Sequence, residues 1–212
     1  MADHETYYRY LKRRSVLGLL YRRWLLYPRI CRRLQGKVLD VGCGIGDMLS
    51  FRTGTVGVDV NPLLVEHCRS RGVEAHLSQS DRLPFRDQSF DGALLDNVLE
   101  HLADPRAVLS EIGRVLVPRG RLVVGVPGRR GYQRDSDHKV FYDEESLVRC
   151  LAASGFAVTD MFVTPFRSRV LDRVLRQYCV YGVFAWTRAD LASSASGSSA
   201  YTPSSATAPN HA

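Results

Sequence analysis

Val38-Leu39-Asp40-Val41-Gly42-Cys43-Gly44-Ile45-Gly46 is an apolar run that empties into a glycine-rich turn. A second short run, Thr55-Val56-Gly57-Val58-Asp59, follows it and ends in a carboxylate. The first run reads as a buried strand that delivers bare backbone to a ligand, because a Cβ at the glycines would hold a ligand off the peptide groups. The second reads as a neighbouring strand. In a doubly wound sheet the carboxylate at its end, Asp59, lies where the two hydroxyls of a ribose are met. A nucleoside-binding edge is expected where these two strands end.

The turn also indicates which nucleoside. A dinucleotide turn reads G-x-G-x-x-G, its third glycine letting a helix pack close beside a pyrophosphate. The frame that starts at Gly42 puts Asp47 in that third place, and an anion there repels a diphosphate. Asp40 adds a second carboxylate two residues before the first glycine. Such an edge suits a ligand that carries an ammonium or sulfonium and no phosphate.

Outward from this stretch, strand and helix patterns alternate as in an α/β fold. Strands are expected near 37–42, 55–59, 74–77, 91–95 and 121–126, and helices near 46–51, 62–71, 105–117 and 143–153. Asp104-Pro105 and Asp143-Glu144-Glu145 read as helix starts, the first with proline in the first turn and the second acidic. Two further strands are expected at 156–163 and about 177–187. Before the core, residues 5 to 34 interleave apolar side chains with cations and read as one or two amphipathic helices, with Pro28 marking the break.

Four ordered segments resemble the class I S-adenosylmethionine-dependent methyltransferases, specifically the small type 11. They are Val38 to Gly46; Asp59; Leu83-Pro84-Phe85-Arg86-Asp87-Gln88-Ser89-Phe90-Asp91; and Asn97-Val98-Leu99-Glu100-His101-Leu102, which leads on to Arg114-Val115-Leu116-Val117-Pro118-Arg119-Gly120-Arg121-Leu122. The resemblance covers roughly residues 36 to 163. It implies a Rossmann-like seven-stranded, mostly parallel sheet with helices on both faces and an antiparallel C-terminal hairpin. It also implies S-adenosyl-L-methionine as cofactor. Asp40, Gly42, Cys43 and Gly44 would then face the methionine portion, with Gly46 letting the helix start close by. Asp59, with Val60 next to it, would meet the ribose, and Asn97 would reach the methionine end or the acceptor. The family places Gly-Asp-Ala ahead of the Leu-Pro-Phe segment. Here Ser78-Gln79-Ser80 stand there, so Gln79 and Ser80 take the adenine contact in neutral form, with Asp81 close enough to substitute.

Methyl transfer from a sulfonium is accelerated largely by positioning and water exclusion. A hydroxyl acceptor must also lose a proton. His138, in the loop after the fifth strand, is the candidate general base because imidazole titrates near neutral pH. Glu100 and His101 are further catalytic candidates, set against a plain role in capping the turn. Phe141 and Tyr142 are expected to wall the pocket. A related group of methyltransferases holds a divalent ion through Glu-x-x-Glu-His at this place. Asn97 replaces the first of those carboxylates, and no metal is expected from the sequence.

At 212 residues the chain has room for one α/β domain with a sizeable core. It reads as a basic helical arm over 1–35, a methyltransferase domain over 36–190 and a disordered Ser/Ala-rich tail over 191–212. The net charge is +7. The first 37 residues hold ten cations against two carboxylates, so the remaining residues together carry −1. Five scattered cysteines without a C-x-x-C pair fit reduced thiols and a cytoplasmic location. No stretch is apolar enough to span a membrane, and Arg22 and Arg23 interrupt any signal-like run.

The arm reads as a lid over the cofactor, as a contact with an anionic membrane surface at the inner face, or, least favoured for want of an accompanying binding module, as a nucleic-acid contact. Together these readings give an O-methyltransferase acting on a glycan, a lipid-linked acceptor or another secondary metabolite. The alternatives are a non-catalytic module that docks on a membrane or partner, an N- or C-methyltransferase on a small molecule or RNA, and a nicotinamide-dependent oxidoreductase, which Asp47 disfavours.

Overall fold

The computed structural model describes residues 4–13, 15–79, 81–175 and 177–187. The tail expected to be disordered, and Ser80, lie outside the described residues. The chain begins with α1 (His4–Lys12) and α2 (Val16–Tyr21), continues through a π-helical segment (Arg22–Leu26) and ends its arm with α3 (Tyr27–Cys31). The core then runs β1 (Val38–Val41), α4 (Asp47–Phe51), β2 (Thr55–Asp59), α5 (Pro62–Ser70), β3 (Ala75–Leu77), β4 (Phe90–Asp96) and a 3₁₀ turn (Leu99–His101). It closes with α6 (Arg106–Val115), β5 (Leu116–Pro127), α7 (Arg129–Tyr132), α8 (Glu144–Ala153), β6 (Phe156–Thr164), α9 (Arg169–Val174) and β7 (Cys179–Trp186).

The seven strands among the described residues form one sheet in the order β3-β2-β1-β4-β5-β7-β6. The first five are parallel, and β7 runs antiparallel to both β5 and β6. Every residue of β1 and β2 is buried, which is why both runs are apolar without alternation: a parallel strand covered on both faces has no side to give to water. Chain order reverses at β1, which has β2 on one flank and β4 on the other. Open α/β sheets bind ligands in the crevice at the carboxyl ends of such a pair.

The two faces of the sheet are packed differently. α6 and α8 cover one, with Leu109, Ile112, Leu147 and Leu151 fully buried against Leu95, Leu122 and Val124. The end of the arm helps to cover the other: Tyr27, Ile30 and Leu34 pack on Val38, Leu94, Val123 and Tyr181.

Three boundaries differ from expectation, among them the start of β5, expected near 121 and found at Leu116. The break in the arm falls at Ser15, whose hydroxyl caps α2 by accepting from the Gly18 N–H. Pro28 sits inside the following helical run instead. The π segment before it lets the Tyr27 N–H reach back to the Arg22 carbonyl, and this local shift accommodates a residue with no N–H of its own. The helix expected over 105–117 ends at Val115, where Leu116 turns extended, because Pro118 disfavours a helical Val117.

Candidate active site

The carboxyl ends of β1, β2 and β4 open into a cavity of about 1090 Å³, room for a nucleoside and a second molecule. The glycine turn folds back over β2: Gly42 N–H and Cys43 N–H both donate to the Val58 carbonyl, at 2.8 and 3.0 Å. Gly42 takes φ +77°, and a Cβ there would lie 2.5 Å from a methyl of Val98. Only glycine fits this corner. Gly46, also left-handed, caps α4; it does not line the cavity but holds the turn against Cys68.

Asp59 fixes the far side of the turn. One of its oxygens accepts from Gly44 N–H at 3.0 Å and the other from Asn61 N–H at 2.9 Å. Each carboxylate oxygen has a second lone pair that remains available to a hydroxyl. Burial raises the Asp59 pKa, and the backbone N–H groups oppose that shift. Asp40 is 4% exposed, and burial, reinforced by Asp96 and Asp59, pushes its carboxyl well above the ordinary range.

Asp96, at the end of β4, completes the acidic group. It accepts from the Tyr181 hydroxyl at 2.7 Å and from the Asn97 side-chain amide at 2.9 Å, and Arg22 lies 3.6 Å away. Sequence reasoning did not single out Asp96 or Arg22 as site residues. A carboxylate at a strand end and one arginine among many in the arm carry no spacing signal.

Three carboxylates thus converge on a cavity with the guanidinium of Arg22 beside them, and a cationic ligand is what the donor set lacks. S-adenosylmethionine fits that requirement: Asp40 and the glycine turn would hold its ammonium and sulfonium, and Asp59 its ribose hydroxyls. Cys43, Val60, Gln79, Asp81 and Asn97 line the same cavity.

α1 lines the cavity as well, through His4, Tyr7, Tyr10 and Leu11. Leu11 is buried against Ile45 and Leu64, and the Asn61 side-chain amide donates to the His4 carbonyl at 2.9 Å. The first helix of the arm is therefore fastened across the turn and the end of β2.

The catalytic candidates lie at the β4 side. Lys139 and Val140 donate their N–H groups to the Glu100 carbonyl, at 2.8 and 3.2 Å. This ties the loop after α7 to the 3₁₀ turn and brings the rings of His101 and His138 to 4.7 Å between centroids. His101 faces the cavity, whereas His138 and Glu100 stand behind it and do not line it. His138 stacks on Tyr132, and its Nδ1 lies 2.9 Å from the Tyr132 carbonyl. A carbonyl only accepts, so Nδ1 carries the hydrogen and Nε2 carries the lone pair. Burial, with His138 adding, lowers the His101 pKa, so its imidazole is neutral near pH 7. Phe141 and Tyr142 do not line this cavity; Tyr142 is buried in the core.

The fold and this edge define the class I S-adenosylmethionine-dependent methyltransferases. Residues 39–124 match the sequence model of a type 11 family described as "Methyltransferase domain", and that stretch of the chain belongs to it. A Streptomyces fradiae protein described as an uncharacterized 37.1 kDa protein in transposon TN4556 is 42% identical over 168 residues, covering 65% of this chain and 49% of that one. A Mycolicibacterium smegmatis protein named as a probable S-adenosylmethionine-dependent methyltransferase is 32% identical over 149 residues, covering 64% of this chain and 58% of that one. Among solved structures, a SAM-dependent methyltransferase from Aquifex aeolicus superposes with a TM-score of 0.63 at 17% identity, covering 88% of this chain and all of that one, which bears on the fold alone. The chain spans about half the length of these two curated relatives.

Proposed function

We propose that the chain transfers the methyl group of S-adenosylmethionine to an oxygen of a small or lipid-linked acceptor, a glycan or secondary metabolite among them. The observation that carries this reading is the convergence of Asp40, Asp59 and the positive-φ glycine turn on one cavity large enough for two molecules. When bound, the cofactor supplies an electrophilic methyl group on a sulfonium. The protein's part is to hold and orient. Asp59 fixes the ribose, Asp40 and Asp96 balance positive charge, and α1 excludes water from the turn. In line with the methyl group, an acceptor oxygen gains most of its acceleration from position.

Of the three clustered candidates, His101 is the one that borders the cavity, and its depressed pKa leaves it neutral and able to receive a hydroxyl proton. His138 and Glu100 act through it as positioning residues. Methyl incorporation from labelled cofactor into candidate hydroxyl acceptors tests the assignment, using His101→Ala and His138→Ala. A loss of turnover with cofactor binding retained supports it, and unchanged turnover in both variants removes the cluster from the reaction.

A second observation favours contact between the arm and an anionic membrane surface. Leu17 is 79% exposed and Trp24 74%, and both lie in a segment flanked by Arg13 and carrying Arg23, a pattern suited to an interfacial helix. Such a contact would bring α1, and with it the mouth of the cavity, close to a lipid-linked acceptor. Among the described residues no helix is long and apolar enough to cross a membrane.

A further inference from the structure

We infer that Glu100, His101 and His138 form a binding site for a divalent transition-metal cation at the wall of the cavity. One ligand atom from each of the three lies within 4.8 Å of the other two, and His138 Nε2 is 3.8 Å from the Glu100 carboxylate. Bonds of about 2.0–2.2 Å to a tetrahedral ion set ligand atoms roughly 3.3–3.5 Å apart. The cluster therefore needs only small side-chain rotations to close on an ion.

The decisive residue is Glu100. It is 1% exposed, yet neither carboxylate oxygen has a hydrogen-bond partner. A buried carboxyl with both oxygens orphaned is costly unless a cation or donor satisfies it. His138 is already oriented as a ligand is. The Tyr132 carbonyl holds the hydrogen of His138 on Nδ1, which directs the Nε2 lone pair toward Glu100, and the His101 ring lies 4.7 Å from the His138 ring between centroids. A backbone carbonyl behind an imidazole is a usual means of fixing a ligand's tautomer.

Two imidazoles and one carboxylate suit zinc, cobalt or nickel better than magnesium, which prefers oxygen and keeps its water. Three protein ligands leave at least one position open, and because His101 borders the cavity that position is reachable from the acceptor's side. A hydroxyl or water held there loses its proton more readily. This deepens the proposed site: with the His101 lone pair on the ion, the metal takes over from the imidazole in activating an oxygen acceptor, but metal binding needs neither cofactor nor acceptor. Its failure would leave the methyl-transfer reading standing, and failed methyl transfer would leave the metal site standing.

The test titrates the full chain, freed of metal with a chelator and then of the chelator, with Co²⁺ and with Zn²⁺. Expected are one equivalent of visible Co²⁺ absorption and a loss of about 10–100-fold or more in affinity for both Glu100→Gln and His138→Ala. Absence of binding by the parent chain, or affinity in both variants equal to the parent's, overturns the site. A readout that needs no variant is the imidazole proton resonances under Zn²⁺. Shifts confined to two rings assigned to His101 and His138 support the site, and shifts at other histidines, or at none, overturn it.

Discussion

At the scale of the residue, Asp59 joins two tasks, since it fastens the glycine turn through Gly44 and presents spare lone pairs to the cavity. Asp59→Asn keeps the size and one acceptor oxygen but loses the charge. It is expected to weaken S-adenosylhomocysteine binding by roughly 10–100-fold, the range for a charge-assisted pair. Calorimetry reads the loss directly, and unaltered affinity would place the ribose elsewhere.

Glu100 makes a second prediction with a defined sign. Burial, with Asp96 and Asp135 adding, pushes its pKa up to about 8 from an ordinary 4.5. The folded chain therefore keeps a proton that the unfolded chain has already released, and metal-free stability falls as pH rises between those values. Glu100→Gln removes that slope. With chelator present it should melt higher than the parent at pH 9, by an amount equivalent to ~2–5 kcal/mol, and approach the parent near pH 5. A gap that does not change with pH would clear Glu100 of the effect. Asp40, Gly42 and Asp59 were legible in the sequence because glycine spacing and a strand-end carboxylate are local signals. The Glu100–His138 pairing was not, because it exists only once the loop after α7 hydrogen-bonds to the 3₁₀ turn.

At the scale of the element, α1 is the part whose role the sequence left open. Its amphipathic pattern was plain, but the same pattern serves a lid, a membrane contact or a partner helix. The buried contact of Leu11 with Ile45 and Leu64 supports the lid reading for α1. Leu11→Ala is expected to loosen this docking by ~2–3 kcal/mol. Release of S-adenosylhomocysteine should quicken by about tenfold or more, followed by stopped-flow fluorescence, while global unfolding in urea changes little. Equal release rates would show that α1 covers the cavity without gating it. The core strands were read to within a residue or two, except β5, which starts at Leu116 and pairs with β4 across an irregularity near Gly92. That early start is set by a tertiary pairing and leaves no periodic mark.

At the scale of the whole molecule, charge and apolar exposure coincide in the arm. The net +7 of the chain is concentrated there, beside the exposed Leu17 and Trp24. Co-sedimentation with vesicles containing anionic lipid is expected at low ionic strength, declining as salt screens the arm, with a blue shift of Trp24 emission in the bound state. Vesicles of neutral lipid that bind equally well, or anionic ones that do not bind, would count against the contact. The sheet edges are protected in different ways. β3 is only three residues long, and β6 carries an irregularity near Asp160, which pairs with Arg33 at 2.8 Å.

The position of β7 also bears on how the chain is made. It is the last of the described strands in chain order, yet it lies between β5 and β6. Until residues 179–186 emerge, a nascent chain holds β5 with one open flank and β6 with no neighbour at all. The sheet is completed by insertion and not by extension, so residues 179–186 must be made before the outer hairpin can close.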